Sequence, residues 1–281
     1  MTAITAKQVK ELRDITNVGM MECKKALQET AGDIDAAIKL LRERGMAVAA
    51  KKADRAANEG QVDIAISGDG KTGSMVEVNC ETDFVAKNEN FQAFVLELAT
   101  KGLETADGEL AEKEKENLAF KISEIGENLV IQRNTRYELQ GPGAIGRYIH
   151  LGGKVGVMVE IGCEKDENTA SDKLVELGKE IALHIAAASP HALTRDDLDP
   201  AIVDAEKAVF AKQVEGKPEN IIEKIIGGKL EKFYSQVVLL EQGFVKDPDV
   251  SVKDLLATYG KDLDDTLSIQ GVVQILAVRG Q

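Results

Sequence analysis

The sequence predicts an α+β chain of more than one domain, and three observations predict it. Apolar residues recur at helical spacing through the first 45 positions. Two later stretches each read as an alternating β-hairpin followed by an amphipathic helix, and the two match one another directly. Beyond Pro200 come two long helical patterns separated by a break containing Gly and Pro.

At the N-terminus, Thr5 and Gln8 have the spacing of a capping box, and Val9, Leu12 and Ile15 would line the helix it opens. Gly19 interrupts, Met20, Cys23 and Leu27 stripe a second helix, and Gly32 ends it. Asp33 caps a third, striped by Ile34, Ala37, Ile38 and Leu41 and closed by Gly45. Three short helices with tight turns make a small bundle of the kind that binds partners and rarely catalyses. Ala47–Ala57 reads as a helix-prone linker, which gives a first module over 1–55.

The core then divides into two halves, 56–140 and 141–199 with 235–281, interrupted by a helical hairpin over 200–234. In the first half Val62, Ile64 and Ile66 alternate, Gly68–Gly73 turns, and Met75–Cys80 returns with one buried face. Asn88 caps a helix striped by Phe91, Phe94, Val95 and Leu98. A further helix spans Leu110–Ile125 and a strand spans Leu129–Leu139. In the second half Tyr148–Leu151 and Val155–Cys163 flank the Gly152-Gly153 turn, and a helix striped by Leu174, Leu177, Ile181 and Ile185 follows up to Ser189-Pro190. Pro200–Val214 and Pro218–Phe233 form the inserted hairpin across Glu215-Gly-Lys-Pro218. Strands over Gln236–Leu240 and Ile269–Val278, with a short helix at Asp254–Tyr259, complete the chain.

The two halves carry an internal repeat. Val76-Glu-Val-Asn-Cys-Glu-Thr-Asp83 matches Val159-Glu-Ile-Gly-Cys-Glu-Lys-Asp166, 83 residues later, so the core is a duplicated α+β unit with antiparallel sheets. The strand residues and the cysteine are shared, as a scaffold would be. The copies part after the strand, where Phe84 in the first faces Glu167 in the second. Phe84 is either a plug for its own core or a wedge for another protein. A plug required by this corner would leave the second copy needing an apolar residue too.

Composition excludes more than it proposes. The net charge is −13, yet residues 1–55 hold 11 Lys and Arg against 8 Asp and Glu, leaving the body at −16. An acidic body argues against direct nucleic-acid binding, which rests on phosphate neutralisation. The longest apolar runs, such as Ile181–Ala188, are too short and polar to span a bilayer, and the first residues lack a signal or transit pattern, so a cytoplasmic chain is expected. Three widely spaced cysteines, Cys23, Cys80 and Cys163, suggest no disulfide framework. Gly70-Lys71-Thr72 imitates the end of a phosphate loop, but Ala65 stands where the motif needs Gly and no helix follows. His150, His184 and His191 would have to serve as bases for a thiol enzyme whose cysteines point into buried strand faces. Neither metal-ligand spacing nor a clustered acid and histidine set occurs, so no metal, cofactor or active site is expected. Met20-Met21, at a helix start, is either core or contact.

Two motifs nevertheless match one family closely. Leu12-Arg-x-x-Thr-x-x-Gly-Met-Met-x-Cys-Lys-Lys-Ala-Leu27 and Glu77-Val-Asn-Cys-Glu-Thr-Asp-Phe-Val-Ala-Lys87 resemble the two signatures of the bacterial elongation factor Ts family, with Ile125-Gly-Glu-Asn128, the hairpin bearing His150 and the Gly-Lys-Pro turn at 216–218 in the same order. The resemblance implies a guanine-nucleotide exchange factor, not an enzyme, for the translation GTPase elongation factor Tu. It implies an N-terminal module like ubiquitin-associated domains, with Arg13, Met20 and Met21 at its GTPase contact. It makes Thr82, Asp83, Phe84 and Val85 the exchange element, Asp83 and Phe84 addressing the GTPase domain, and puts Ile125, Gly126 and His150 at further contacts. The inserted hairpin corresponds to the family's coiled-coil or dimerisation region, so a homodimer is possible. Longer members add a C-terminal helical module, and with the sequence ending at Gln281 that contact is expected to be missing. The contrasting expectation is a non-catalytic dimeric scaffold or chaperone of a GTPase.

Overall fold

The computed structural model of the chain describes residues 4–16, 18–214 and 219–277. The Glu215–Pro218 turn and the end of the last expected strand, Val278, lie outside the described residues.

The bundle consists of α1 (Ala6–Thr16), α2 (Met20–Glu29) and α3 (Ile34–Lys52). The capping box forms as spaced: the Thr5 amide donates to Gln8 Oε1 at 3.0 Å, and the Gln8 amide donates back to Thr5 Oγ1 at 3.3 Å. Asp33 caps α3 through the Ala36 amide. Leu12, Cys23, Ala26, Leu27, Ala37 and Leu41 make the small core. Two expectations fail here. Ile15 is exposed and Thr16 takes the buried position, its hydroxyl bonded to Leu12 O. Gly45 does not stop α3, which runs on through the expected linker to Lys52. A Cβ at Gly45 would lie 3.4–3.6 Å from the backbone of Ala119 and Phe120, ordinary van der Waals contact, so α3 passes the next module here at a distance that does not itself demand glycine.

Each half of the core is a three-stranded antiparallel sheet backed by helices. The first contains β1 (Glu59–Ile66), β2 (Thr72–Cys80) and β3 (Leu129–Glu138) in that order. The second contains β4 (Gly143–His150), β5 (Val155–Gly162) and β8 (Ser268–Leu276). The repeated segments are the central strands β2 and β5. Between β2 and β3 lie α4 (Asp83–Ala86), α5 (Glu89–Gly102), α6 (Leu110–Lys113) and α7 (Lys115–Ile125). The helix expected over Leu110–Ile125 is thus broken at Glu114. In the second half α8 (Asp172–Ala188) follows β5. The insert comprises α9 (Pro200–Gln213) and α10 (Glu219–Val237), and α11 (Val252–Leu263) precedes β8. The expected strand over Gln236–Leu240 is instead the end of α10 and a 3-10 turn, with a single parallel bridge from Ala192 to Val238. A small hairpin, β6 (Gly243–Phe244) and β7 (Asp247–Ser251), follows it. Among the described residues no helix is long and apolar enough to cross a membrane.

The layers explain why β2 is buried on both faces rather than one. Val76, Val78 and Cys80 pack with Phe91, Phe94, Val95 and Leu98 of α5. On the opposite face Val62, Ile64 and Met75 meet Ile145, Met158 and Ile275 of the second sheet. Helix, sheet, sheet and helix therefore stack in sequence, with α8 and α11 closing the far side. Glu77 points into the interlayer side and is buried there, its carboxylate bonded to Arg133 Nε at 2.6 Å. A charge in that position requires such a partner.

Candidate partner-docking site

The end of β2 sets one end of the first half. Thr82 caps a short helical turn, α4, by accepting the Val85 amide at 3.4 Å. The turn separates its side chains. Ala86 is buried, Val85 packs partly on the first-half core, and Phe84 is 81% exposed. An aromatic ring left in water on a capped turn contributes nothing to its own core. Asp83 is also solvent-facing and bonds Lys87 Nζ one turn on, at 2.7 Å; that hydrogen bond holds its carboxyl below the usual carboxylate range and raises the Lys87 ammonium.

A second turn is braced against the first. Gly126 ends α7 at φ +89°, a left-handed conformation suited to glycine. Behind it, Glu127 accepts the amides of Glu81 and Thr82, each at 3.0 Å, and the Thr82 hydroxyl at 2.6 Å. Glu81 reciprocates by accepting the Asn128 amide at 2.6 Å. Asn128 then donates its side-chain amide to Arg55 O at 2.7 Å, and Lys52 donates to Gly126 O, so the end of α3 is tied to this corner. Ile125 is half-buried against the same core that Val85 touches, and Gly126 is exposed.

The sheet register brings the β4–β5 turn to the same end. Glu59 opposes Cys80 in the ladder, and Lys154, the last residue of the turn, bonds Glu59 at 2.6 Å. Gln61 donates to Gly152 O at 2.6 Å and the Val62 amide to Gly153 O at 2.7 Å. His150 is exposed there, stacked on Tyr148 with ring centroids 5.8 Å apart and Nδ1 3.0 Å from the tyrosine hydroxyl. Leu151 beside it is 70% exposed.

Thr82, Asp83, Phe84, Val85, Ile125, Gly126 and His150 therefore gather at one end of the core. Arg13, Met20 and Met21 lie on the bundle, all exposed, with Met20 at 53% and Met21 at 65%; the stripe expected to bury Met20 starts at Cys23 instead. Sequence reasoning passed over Glu127, Asn128 and Leu151. Only Glu127 and Asn128 left a signal, as part of the Ile125–Asn128 match, and nothing in their spacing linked them to Thr82.

The thiols are unsuited to nucleophilic work. Burial first, and then the nearby Glu127 charge, pushes Cys80 up to about 12, and burial likewise raises Cys163. His184 is buried in α8, accepting the Val245 amide at Nδ1 and paired with Gln242 at Nε2, a core histidine held neutral by its burial.

The second half repeats the brace. Asp265, ahead of β8, accepts the amides of Glu164 and Lys165 at 2.9 and 3.1 Å, and these residues lie 83 positions after Glu81 and Thr82. Desolvation opposes ionisation of Asp265, but hydrogen bonds from the Asn168 side chain and from the Glu164, Lys165 and Thr266 amides outweigh it and hold the carboxyl at about 2. Since its ordinary value is 3.8, the stability it contributes is complete above that pH and is lost as pH falls toward 2. Asp265→Asn is therefore expected to unfold at lower urea than the natural chain at neutral pH, with the gap closing as the pH approaches 2. A gap that stays constant from neutral pH down to that point would contradict the brace.

The comparisons with known proteins agree with this architecture. A family model described as Elongation factor TS matches residues 81–275. A protein named Elongation factor Ts from a Nitratiruptor species is 45% identical over 284 residues, covering 97% of this chain and 92% of the relative. Its namesake from Clostridioides difficile is 44% identical over 287 residues, covering 98% and 92%. That from a Caulobacter species is 42% identical over 300 residues, covering 100% and 94%. These matches put the chain among the translation elongation factors. The chain belongs to the elongation factor Ts family.

Proposed function

We propose that this chain is a guanine-nucleotide exchange factor that binds elongation factor Tu and promotes GDP release during translation elongation. The observation that carries the reading is Phe84, exposed on a capped turn whose frame recurs in the second half without an aromatic. In this reading Thr82–Val85 is the exchange element, with Phe84 entering between packed helices of the GTPase near its magnesium and phosphate site. Asp83 competes for polar or cationic partners beside it. Ile125, Gly126 and His150 extend the contact along the same end of the core, while the 1–55 module, akin to ubiquitin-associated domains, docks through Arg13, Met20 and Met21. The two core halves, 56–140 and 141–199 with 235–281, carry these surfaces in the cytoplasm, without nucleic acid, membrane, metal or cofactor.

The energetics need no covalent step, and the protein is not an enzyme in that sense. By linkage, a factor that lowers nucleotide affinity is itself bound more weakly, by the same ratio, when nucleotide is present. Broad docking supplies the binding energy, and a small rigid element converts part of it into local distortion of the nucleotide site. The test is the release of labelled GDP from the cognate GTPase. Acceleration that rises with factor concentration and then saturates supports exchange; binding with an unchanged GDP off-rate overturns it.

That overturning result would favour the second reading, a non-catalytic dimeric scaffold or chaperone. Its supporting observation is the insert: α9 buries none of its residues, and Ile202, Val209 and Ile221 are exposed on the two helices, a surface suited to a second copy of the chain.

A further inference from the structure

We propose that Glu127 is a positioning residue for nucleotide exchange, fixing the direction in which Phe84 leaves the surface without touching the partner itself. The proposal rests on the exchange reading above.

Three bonds end on this one carboxylate. Oε2 takes the Glu81 and Thr82 amides and Oε1 takes the Thr82 hydroxyl proton. With its proton committed to Glu127, the Thr82 oxygen turns a lone pair to the Val85 amide and caps the turn on which Phe84 sits. The relay thus runs from carboxylate to hydroxyl to helix amide. An exposed ring has no packing of its own to orient it, so its aim depends on the backbone beneath it.

The second half supplies the control. Asp265 braces the two corresponding amides, so bracing the exit of the central strand belongs to the fold. Lys165 stands where Thr82 does and has no hydroxyl to relay. Asp265 turns instead to the Asn168 side chain at 2.7 Å, and the residue presented outward is Glu167. The hydroxyl relay occurs only in the half that carries Phe84. A brace required for folding alone would not need it.

The experiment compares Glu127→Ala, Glu127→Gln and Thr82→Val with Asp265→Asn as the control for loss of stability. Gln retains an acceptor for the amides, and its amino group can donate to the Thr82 oxygen, whose second lone pair still accepts the Val85 amide, so it is the conservative variant and should recover most of the rate that Glu127→Ala loses. Thr82→Val removes the relay while leaving both amide bonds, and so remains informative where Glu127→Ala folds poorly. For Glu127→Ala the maximal rate of GDP release at saturating factor is expected to fall roughly tenfold, with the half-saturating concentration changed less than about threefold, because the docking surfaces remain. Asp265→Asn should lower the unfolding midpoint and leave the maximal rate alone. The chain has no Trp, so Phe84→Trp adds a single indole whose fluorescence anisotropy reads the turn directly in the free protein. Anisotropy should drop when Glu127→Ala is added and hold when Asp265→Asn is added. If Phe84→Ala is slow while Glu127→Ala and Thr82→Val release GDP no more slowly than Asp265→Asn at equal loss of stability, positioning is overturned and exchange stands. If Phe84→Ala itself accelerates GDP release at the natural rate, the wedge role of Phe84 falls and positioning falls with it; exchange falls only if the natural chain leaves the GDP off-rate unchanged.

Discussion

Phe84→Ala is expected to leave the chain as stable as before and remove most of its acceleration of GDP release. The ring is 81% exposed and touches no core cluster, so truncation should change unfolding free energy by no more than about 0.5 kcal/mol. The functional loss should be far larger. A single aromatic anchor that fills a partner pocket is typically worth about 2 kcal/mol or more, corresponding to a roughly 30-fold fall in the rate it supports. Most of that fall belongs in the maximal rate, since Met20, Met21 and the remaining contacts still dock. Stopped-flow release of labelled GDP, run beside urea unfolding of the same preparation, separates the two effects. A stable variant with near-natural acceleration would remove Phe84 from the mechanism. So would a variant whose only defect is a higher half-saturating concentration, because that would make the ring a docking contact and not a wedge.

The direction of that prediction was partly legible in the sequence. Short-range chemistry carried through well: the Thr5–Gln8 box, the Asp33 and Asn88 caps, the buried stripe of α5 and the pairing of the two hairpins all depend on residues within a turn or a hairpin of each other. The repeat isolated Phe84 by setting Glu167 against it. Long-range packing was less visible. Gly45 read as a stop because glycine is a poor helix former, but α3 continues through it, packed along α7 far along the chain at Ala119 and Phe120. Glu77 read as the exposed side of a strand because nothing local announces the second sheet or Arg133, 56 positions away. The apolar run Gln236–Leu240 had no period to tell a helix end from a strand. Glu127 was hidden for the same reason as Glu77: its partner Thr82 lies 45 residues earlier, joined to it only once β2 and β3 pair.

The largest effect on stability is expected far from Phe84, where α8 crosses β4. A Cβ built on Gly146 falls 2.2 Å from the carbonyl carbon of Gly178 and 2.4 Å from its Cα and oxygen. One built on Gly178 falls 2.8 Å from the Gly146 Cα. These are backbone atoms, so no side chain can rotate away; helix and sheet must separate. Separation would loosen Leu174, Leu177, Ile181 and Ile185 from Val157, Val159 and Ile161, the centre of the second-half core. Gly146→Ala should therefore cost about 3 kcal/mol, the upper end for overpacking, and lower the melting midpoint by roughly 6–12 °C for a chain of this size. Gly228→Ala is the contrasting control. It lies in α10 with nothing within 4 Å of the added methyl, and alanine there should stabilise by up to about 1 kcal/mol through helix propensity alone. A Gly146→Ala chain whose unfolding free energy, extrapolated linearly to zero urea, falls within about 1 kcal/mol of the natural one would show that α8 can lift off β4 cheaply. β4 also carries His150 to the docking end, so a displaced β4 should weaken partner binding; the maximal rate of GDP release, set by the Phe84 turn in the other half, should change less.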